Sequence, residues 1–284
     1  MTPSRAETLR SLLTQQGLHV MPCCFDALSA RLIERAGFPL TFMSGFAVSA
    51  ARLGLPDTGL ISYGEMMDQG RSILEATTLP VIGDGDTGYG NAVNVKRTVE
   101  GYARAGFAAI MIEDQVAPKR CGHMAGKEVV SREEALSRLR AAIRAREDGA
   151  DILILARTDA RATLGLEEAL WRMEAFEDLG ADILFMEAPQ SISEMEAFNQ
   201  RVEKPTMANM IEGGKTPVVS TGALADLGFK IAAYPLALIG SVVMAMENAL
   251  SELKTGSMPT HQAGFKHLLD VLDLAGYEQK LKDS

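Results

Sequence analysis

Short apolar runs, many rich in β-branched residues, recur along the chain, and each leads into a stretch whose apolar residues return every three or four positions. The runs are residues 18–25, 40–45, 80–83, 108–112, 151–156, 181–186, 205–208 and 230–234. The amphipathic stretches are 27–36, 63–75, 92–105, 132–147, 167–179, 192–202, 221–227 and 242–254. A short apolar run bounded by turn residues predicts a buried strand, and a 3.6-residue period predicts a helix. Ser131 with Glu134 predicts a capping box at the fourth of these helices. Gly37, Gly106, Gly149, Gly180 and Gly228 predict helix stops. Strictly alternating strands and helices in one domain predict an α/β fold, a (β/α)8 TIM barrel spanning residues 1–284. A doubly wound sheet is the alternative. Residues 5–16 and 259–282 read as extra terminal helices added to the barrel.

The polar pattern supports the barrel. Asp26, Ser44, Asp84, Asp86, Glu113, Asp114, Arg157, Asp159, Glu187 and Asn209 each fall just after an apolar run. In a barrel all strand ends of that polarity converge on one mouth, where the chemistry sits.

Composition narrows the function classes. The 284 residues are 47% hydrophobic and 23% charged, within the ordinary globular range. A net charge of −9 and no basic run longer than two residues argue against a nucleic-acid partner. The uncharged stretch 231–246, as long as any in the chain, is shorter than the roughly 18–20 residues of a membrane span and contains Pro235, so no membrane association is expected. Cys23, Cys24 and Cys121 are odd in number and two are adjacent, which argues against a disulfide framework and for a cytoplasmic protein.

Several motifs carry candidate chemistry. Gly83-Asp84-Gly85-Asp86-Thr87-Gly88-Tyr89-Gly90 formally matches a dinucleotide fingerprint, but two aspartates in that turn would repel a pyrophosphate. The same aspartates suit a hard divalent cation, with glycines letting the backbone bend around it; a solvated polar turn competes. Glu113-Asp114-Gln115 ends the fourth strand, where metal-shell or acid–base work competes with solvated surface. Residues 116–131 form a connection far longer than the usual 2–6 and read as a lid. Its Lys119-Arg120-Cys121-Gly122-His123 places a thiol between two cations and a histidine, which favours the thiolate; a buried inert cysteine is the alternative. Arg157 at the fifth strand end can clamp a carboxylate or pair with Glu187. Gly213-Gly214-Lys215-Thr216 only weakly echoes a P-loop, since Pro217 follows at once.

Taken together, these motifs resemble the isocitrate lyase and phosphoenolpyruvate mutase superfamily. They are Ser44-Gly45 with Leu55-Pro56-Asp57, Asp84-Gly85-Asp86-Thr87-Gly88, Glu113-Asp114-Gln115, Lys119 to His123, Ala156-Arg157-Thr158-Asp159, and Asn209 to Pro217. The resemblance implies a barrel whose eighth helix is swapped between subunits, with the C-terminal helices from about residue 240 exchanged in a homotetramer. It implies Mg2+, or Mn2+ in its place, held by Asp84 and Asp86, with Asp57 and Glu113 reaching it through water. Ser44, Gly45, Phe46, Gly122, His123, Arg157, Asn209 and Ile211 would bind substrate. Cys121, Arg157 and Glu187 would be catalytic, and Lys119, Arg120 and Cys121 would ride on the lid.

The Lys-Arg-Cys-Gly-His motif is that of the carbon–carbon lyase branch. Glu212 to Pro217 is similar to the 2,3-dimethylmalate and petal-death-type 2-alkylmalate lyases. The implied reaction cleaves a small 2-hydroxy dicarboxylate to an α-keto acid and a carboxylic acid. Phe42 and Gly240 stand where methylisocitrate lyases carry a tyrosine and an arginine. Alternatives are oxaloacetate hydrolysis or decarboxylation, methylisocitrate cleavage and carboxyphosphonoenolpyruvate mutation. A non-catalytic or nucleotide-binding barrel is the alternative from another class.

Overall fold

The computed structural model describes residues 3–124 and 126–283. Its parallel strands are β1 His19–Cys24, β2 Thr41–Met43, β3 Val81–Asp84, β4 Ala109–Glu113, β5 Leu153–Thr158, β6 Ile183–Met186, β7 Met207–Asn209 and β8 Ile231–Tyr234. They are ordered β6-β5-β4-β3-β2-β1-β8-β7, so β1 lies between β2 and β8 and the sheet runs once around. The seam between β6 and β7 is bridged where Leu184 N–H donates to Pro205 O at 2.9 Å and Leu184 pairs with Thr206. The TIM barrel is the observed fold, and the doubly wound alternative falls away.

Alternate strand residues fill the interior. Met21 and Cys23, Phe42, Ile82, Ala109 and Met111, Leu153 and Leu155, Ile183 and Phe185, Met207, Ile231 and Ala233 form one buried cluster. The two-residue spacing is the strand period, which sends alternate side chains inward. The helix Arg5–Thr14 belongs to that core: Ala6 and Leu9 are buried in the cluster, with Leu12 and Leu13 packed against it. Arg5 donates to the carbonyls of Leu74 and Thr77, and Arg10 pairs with Asp151 at 3.1 Å. Those partners precede β3 and β5, so the helix plugs the N-terminal end of the barrel. Only the opposite end is left for a site.

Three local differences from the sequence expectations have clear causes. The segment after β2 forms a helix, Gly45–Leu53, because Ser44 caps the amide of Ala47 and Gly54 stops it at φ 63°. Ser131 accepts from the Glu134 amide, but Glu134 turns its carboxylate to Arg138, so the capping box is half made. The last long helix, Ala237–Lys254, begins earlier than its apolar period suggests.

The described residues up to Ala237 form one compact unit and those from Leu238 a second. The second contains helices Phe265–Val271 and Leu274–Asp283 and buries only Val271 among its described large apolar residues. Val242, Val243, Met244, Met246, Leu250 and Leu253 are exposed in it. Among the described residues, no helix is long and apolar enough to cross a membrane.

The plug makes a direct prediction. Leu9→Ala should destabilise the protein by about 2–5 kcal/mol, the usual cost of a cavity in a tight core. Urea unfolding followed by circular dichroism measures it, and an unshifted midpoint would remove this helix from the core.

Candidate active site

Asp84 ends β3 with its carboxylate fixed from two sides. Oδ2 accepts the Gly45 amide and Oδ1 accepts the Asp86 amide, both at 3.1 Å. A side chain on Gly45 would place Cβ 2.5 Å from Asp84 Oδ2, so glycine is required there by close approach. From behind, the Tyr102 hydroxyl donates to the Asp84 carbonyl at 2.7 Å. Asp86 adopts the left-handed conformation at φ 47°, and its carbonyl accepts the Glu113 amide at 2.9 Å. A non-glycine residue in that region stores strain and marks a functional turn. Gly85 is glycine for a different reason than bending around a cation: a Cβ there would lie 2.6 Å from the Met111 carbonyl.

Negative charge accumulates at this end. Burial first, and then the neighbouring Asp86, push the Asp84 carboxyl up to about 6. Burial pushes Glu113 well above the usual carboxylate range, and its Oε1 has no hydrogen-bond partner. Lys119 Nζ lies 2.6 Å from Asp57 Oδ1 and 2.8 Å from Asp86 Oδ1. These are charge contacts rather than aligned hydrogen bonds, since neither oxygen is satisfied as an acceptor. Although burial disfavours its charge, Asp86, Asp84 and Asp57 hold the Lys119 ammonium well above its ordinary range.

The all-oxygen donor set and the orphaned Glu113 oxygen fit a hard cation. Among the described residues no three candidate side chains gather as a complete ligand set. A cation here would therefore take one or two carboxylates directly and water for the rest, the habit of magnesium.

The described residues of 116–131 lie over the mouth. Val116 N–H donates to Glu128 O at 2.8 Å, and Gln115 pairs with Val129. The Gln115 side chain holds the Arg120 backbone through both its amide and its carbonyl, each at 2.9 Å. The Cys121 amide donates to Asp57 O at 3.1 Å. Against the expectation of a Cys121 thiolate, burial pushes this thiol up, with Glu187 and Asp57 adding to the effect and the His123 backbone and Arg157 opposing it. Of its two neighbouring cations, Lys119 is turned to aspartates and Arg120 is exposed. A protonated thiol suits an acid rather than a nucleophile.

Arg157 lies at the end of β5 with Nε 2.8 Å from Asp159 Oδ2 and 3.3 Å from Glu113 Oε2, and Nη2 3.2 Å from Glu187 Oε2. Asn209 Nδ2 donates to Glu187 Oε2 at 3.3 Å. His123 Nδ1 accepts the Lys215 amide at 3.0 Å, which turns Nε2 toward Glu187 Oε1 at 3.1 Å, a contact without hydrogen-bond alignment. Arg157 and then His123 offset the cost of burying Glu187 and keep it below the usual range.

A cavity of about 50 Å³ opens between these groups. Of the residues expected in the site, Ser44, Phe46, Asp57, Asp84, Lys119, Cys121, Gly122, His123, Arg157, Glu187, Asn209 and Ile211 line it. Gly45, Asp86 and Glu113 stand behind that lining, and Arg120 is exposed outside it. Asp114 has a structural part: it accepts from Thr158, from the Asp159 amide and from Arg172. Sequence reasoning did not find the apolar wall of Phe185, Met111, Met207, Pro235 and Leu236, nor the anchoring by Gln115. Strand alternation was the available signal for the wall, because each of its strand residues points inward.

The sequence matches the family model for phosphoenolpyruvate phosphomutase over residues 9–254. It is 46% identical over 249 residues to the 2,3-dimethylmalate lyase of Eubacterium barkeri, covering 88% of this chain and 86% of that protein. A crystal structure of 2,3-dimethylmalate lyase superposes with a TM-score of 0.93 at 37% identity, covering 98% of this chain and 95% of the other. Oxaloacetate acetylhydrolase bound to 3,3-difluorooxalacetate gives 0.93 at 35% identity, covering 97% and 95%. With the barrel, the aspartate turn and the cysteine lid in place, the chain belongs to the phosphoenolpyruvate mutase/isocitrate lyase superfamily.

Proposed function

We propose that this protein is a carbon–carbon lyase that cleaves a 2-hydroxy dicarboxylate of the 2,3-dimethylmalate or 2-alkylmalate type to an α-keto acid and a carboxylic acid. One observation carries the reading: Cys121, Arg157 and Asp84 surround a single small cavity whose remaining wall is largely apolar. Arg157 and Asn209 bind substrate carboxylate and hydroxyl oxygens, and Glu187 orients both side chains. Ser44, the backbone of Gly122, His123 and Ile211 complete the substrate contacts, and Gly45, from behind the lining, holds Asp84 in place. Asp84 and Asp86 would hold magnesium, or manganese in its place, with Asp57 and Glu113 reaching it through water, and the bound ion would neutralise charge on the α-oxyacid oxygens.

Loss of the C2 hydroxyl proton lets the C2–C3 bond break, and its electron pair leaves with the departing acid. Cys121, kept protonated by burial, delivers its proton to that carbon. Phe42 lines the cavity where methylisocitrate lyases have a tyrosine, so no phenol serves as base at that position.

The wall also sets the substrate. Lys119, His123 and Arg157 are the cationic or basic side chains of the lining, and each already faces carboxylates. A third substrate carboxylate would find no free cation among the lining residues, whereas an alkyl group gains about 0.8 kcal/mol per buried CH2. The reading places the enzyme in the cytoplasm, where its three free cysteines stay reduced. It also makes the exposed apolar helices of the second unit the surface through which subunits exchange in a homotetramer.

Coupled assay of α-keto acid release from 2-alkylmalates, oxaloacetate, methylisocitrate and phosphonopyruvate tests the proposal. Alkylmalates should exceed methylisocitrate about a hundredfold in kcat/KM, roughly 3 kcal/mol in the transition state, and a chelator should abolish turnover. Equal or better use of methylisocitrate overturns the substrate assignment.

Cys121→Ala should lower kcat by about 10²–10⁴-fold with substrate binding largely kept. Retention of more than roughly a tenth of turnover, with chemistry limiting, would take the thiol out of the reaction.

The third expectation concerns Asp84 in metal-free buffer. Its folded carboxyl titrates near 6 against roughly 3.9 unfolded, so the folded state binds more protons between those values. Relative to Asp84→Asn, the wild type should therefore lose about 2–3 kcal/mol of stability as pH rises from about 4 to about 6, then level off. Added magnesium should stabilise the wild type above that window and leave the variant unchanged. Parallel pH profiles of unfolding for the two proteins would refute the charge crowding.

A further inference from the structure

Lys127 lies on the lid, six residues beyond Cys121, and its side chain is 1% exposed. The ammonium makes two contacts there. It donates to the carbonyl of Gly122, the residue after Cys121, and to Asp159 Oδ1 at 2.6 Å. The same Asp159 carboxylate accepts Arg157 Nε at 2.8 Å and Nη2 at 3.1 Å. One buried cation thus ties the peptide beside the thiol to the carboxylate that aims the guanidinium.

The tolerance at this junction is small. A Cβ on Gly122 would lie 2.3 Å from Glu187 Oε2 and 2.5 Å from Arg157 Nη2, so the lid backbone rests directly on the carboxylate clamp. Placing a proton donor against a reacting carbon demands positions held to a fraction of an ångström, because misplacement of about 1 Å can cost 10²-fold. Cys121 is held through its backbone, by its amide to Asp57 O and its carbonyl to the Met124 amide, and its thiol meets the His123 backbone. Its lateral placement therefore depends on the Gly122–His123 peptides.

We propose that Lys127 is a positioning residue for the lyase reaction: by docking on Asp159 it sets Cys121 and Arg157 in register with each other. The charge balance makes the docking all-or-none. Removing the ammonium leaves a buried carbonyl without its donor and a buried carboxylate with one cation fewer, and a buried polar group without its partner favours the opened, hydrated loop. The reaction this serves is the one proposed above, but the docking is measurable without any substrate.

The experiment uses the full chain, free of substrate, and follows alkylation of Cys121 by iodoacetamide with peptide mass spectrometry. Cys23 and Cys24 are buried and serve as internal controls. Lys127→Met and Lys127→Gln should each alkylate at Cys121 at least tenfold faster than wild type, because the opened lid exposes the thiol and relieves the burial that keeps it protonated. The controls should stay unmodified, and kcat on a turned-over substrate should fall at least tenfold. Rates within twofold of wild type in both variants overturn the proposal. Alkylation spreading to Cys23 and Cys24 also overturns it, since Lys127 would then hold the fold rather than the lid. A wild type inert toward every 2-hydroxy dicarboxylate sinks the substrate assignment and leaves the alkylation comparison to decide the docking.

Discussion

Buried negative charge at one end of the barrel is the constraint on which the rest of the site depends. Asp57, Asp84, Asp86, Glu113, Asp159 and Glu187 are all buried there. The barrel strands answer them with Arg157, and Lys119 and Lys127 arrive on the lid. An unpaired buried charge costs several kcal/mol, so the mouth is complete only when the lid lies over it. The loop that carries the thiol thus also carries the cations that face the strand-end carboxylates. What the lid leaves undercompensated is the Asp84 and Glu113 corner, where one carboxyl is pushed up to about 6 and the other is left with an orphaned oxygen.

The scaffold reaches this concentration of charge by spending the other end on packing. The helix Arg5–Thr14 seals the N-terminal face with Leu9 in the interior cluster, and alternating Met, Ile, Leu and Phe fill the barrel beneath the mouth. That filling also forms the floor of the cavity, where Phe42, Met111, Phe185 and Met207 meet the polar strand ends. Core and specificity surface are thus the same side chains. Their apolar character gives the cavity a floor without hydrogen-bonding side chains.

Cys121 shows how local sequence misleads about chemistry. Flanked by Lys119, Arg120 and His123, it reads as an activated thiolate. The fold turns Lys119 to two aspartates, leaves Arg120 outside and brings Glu187 and Asp57 close instead. Neighbours in sequence set the charge inventory, whereas neighbours in space set the potential. The same holds for Asp114, which sits beside Glu113 in the chain yet faces Thr158 and Arg172 in the fold.

The barrel was legible in the alternation of apolar runs and amphipathic stretches, because strand and helix periods are local properties and glycine stops are read one residue at a time. The positions of Asp84, Glu113, Arg157, Glu187 and Asn209 were legible too, since each follows a strand and all strand ends of a barrel meet. The helix after Ser44 escaped, because its apolar segment runs straight on from the strand Thr41–Met43 with a single charged residue, Arg52, to mark a polar face. The tertiary structure alone decided the partners: Lys119 on Asp57 and Asp86, Lys127 on Asp159, Gln115 on the Arg120 backbone. Those pairings depend on distances across loops and on burial, which composition and spacing do not encode, and they gather a list of polar residues around one small cavity.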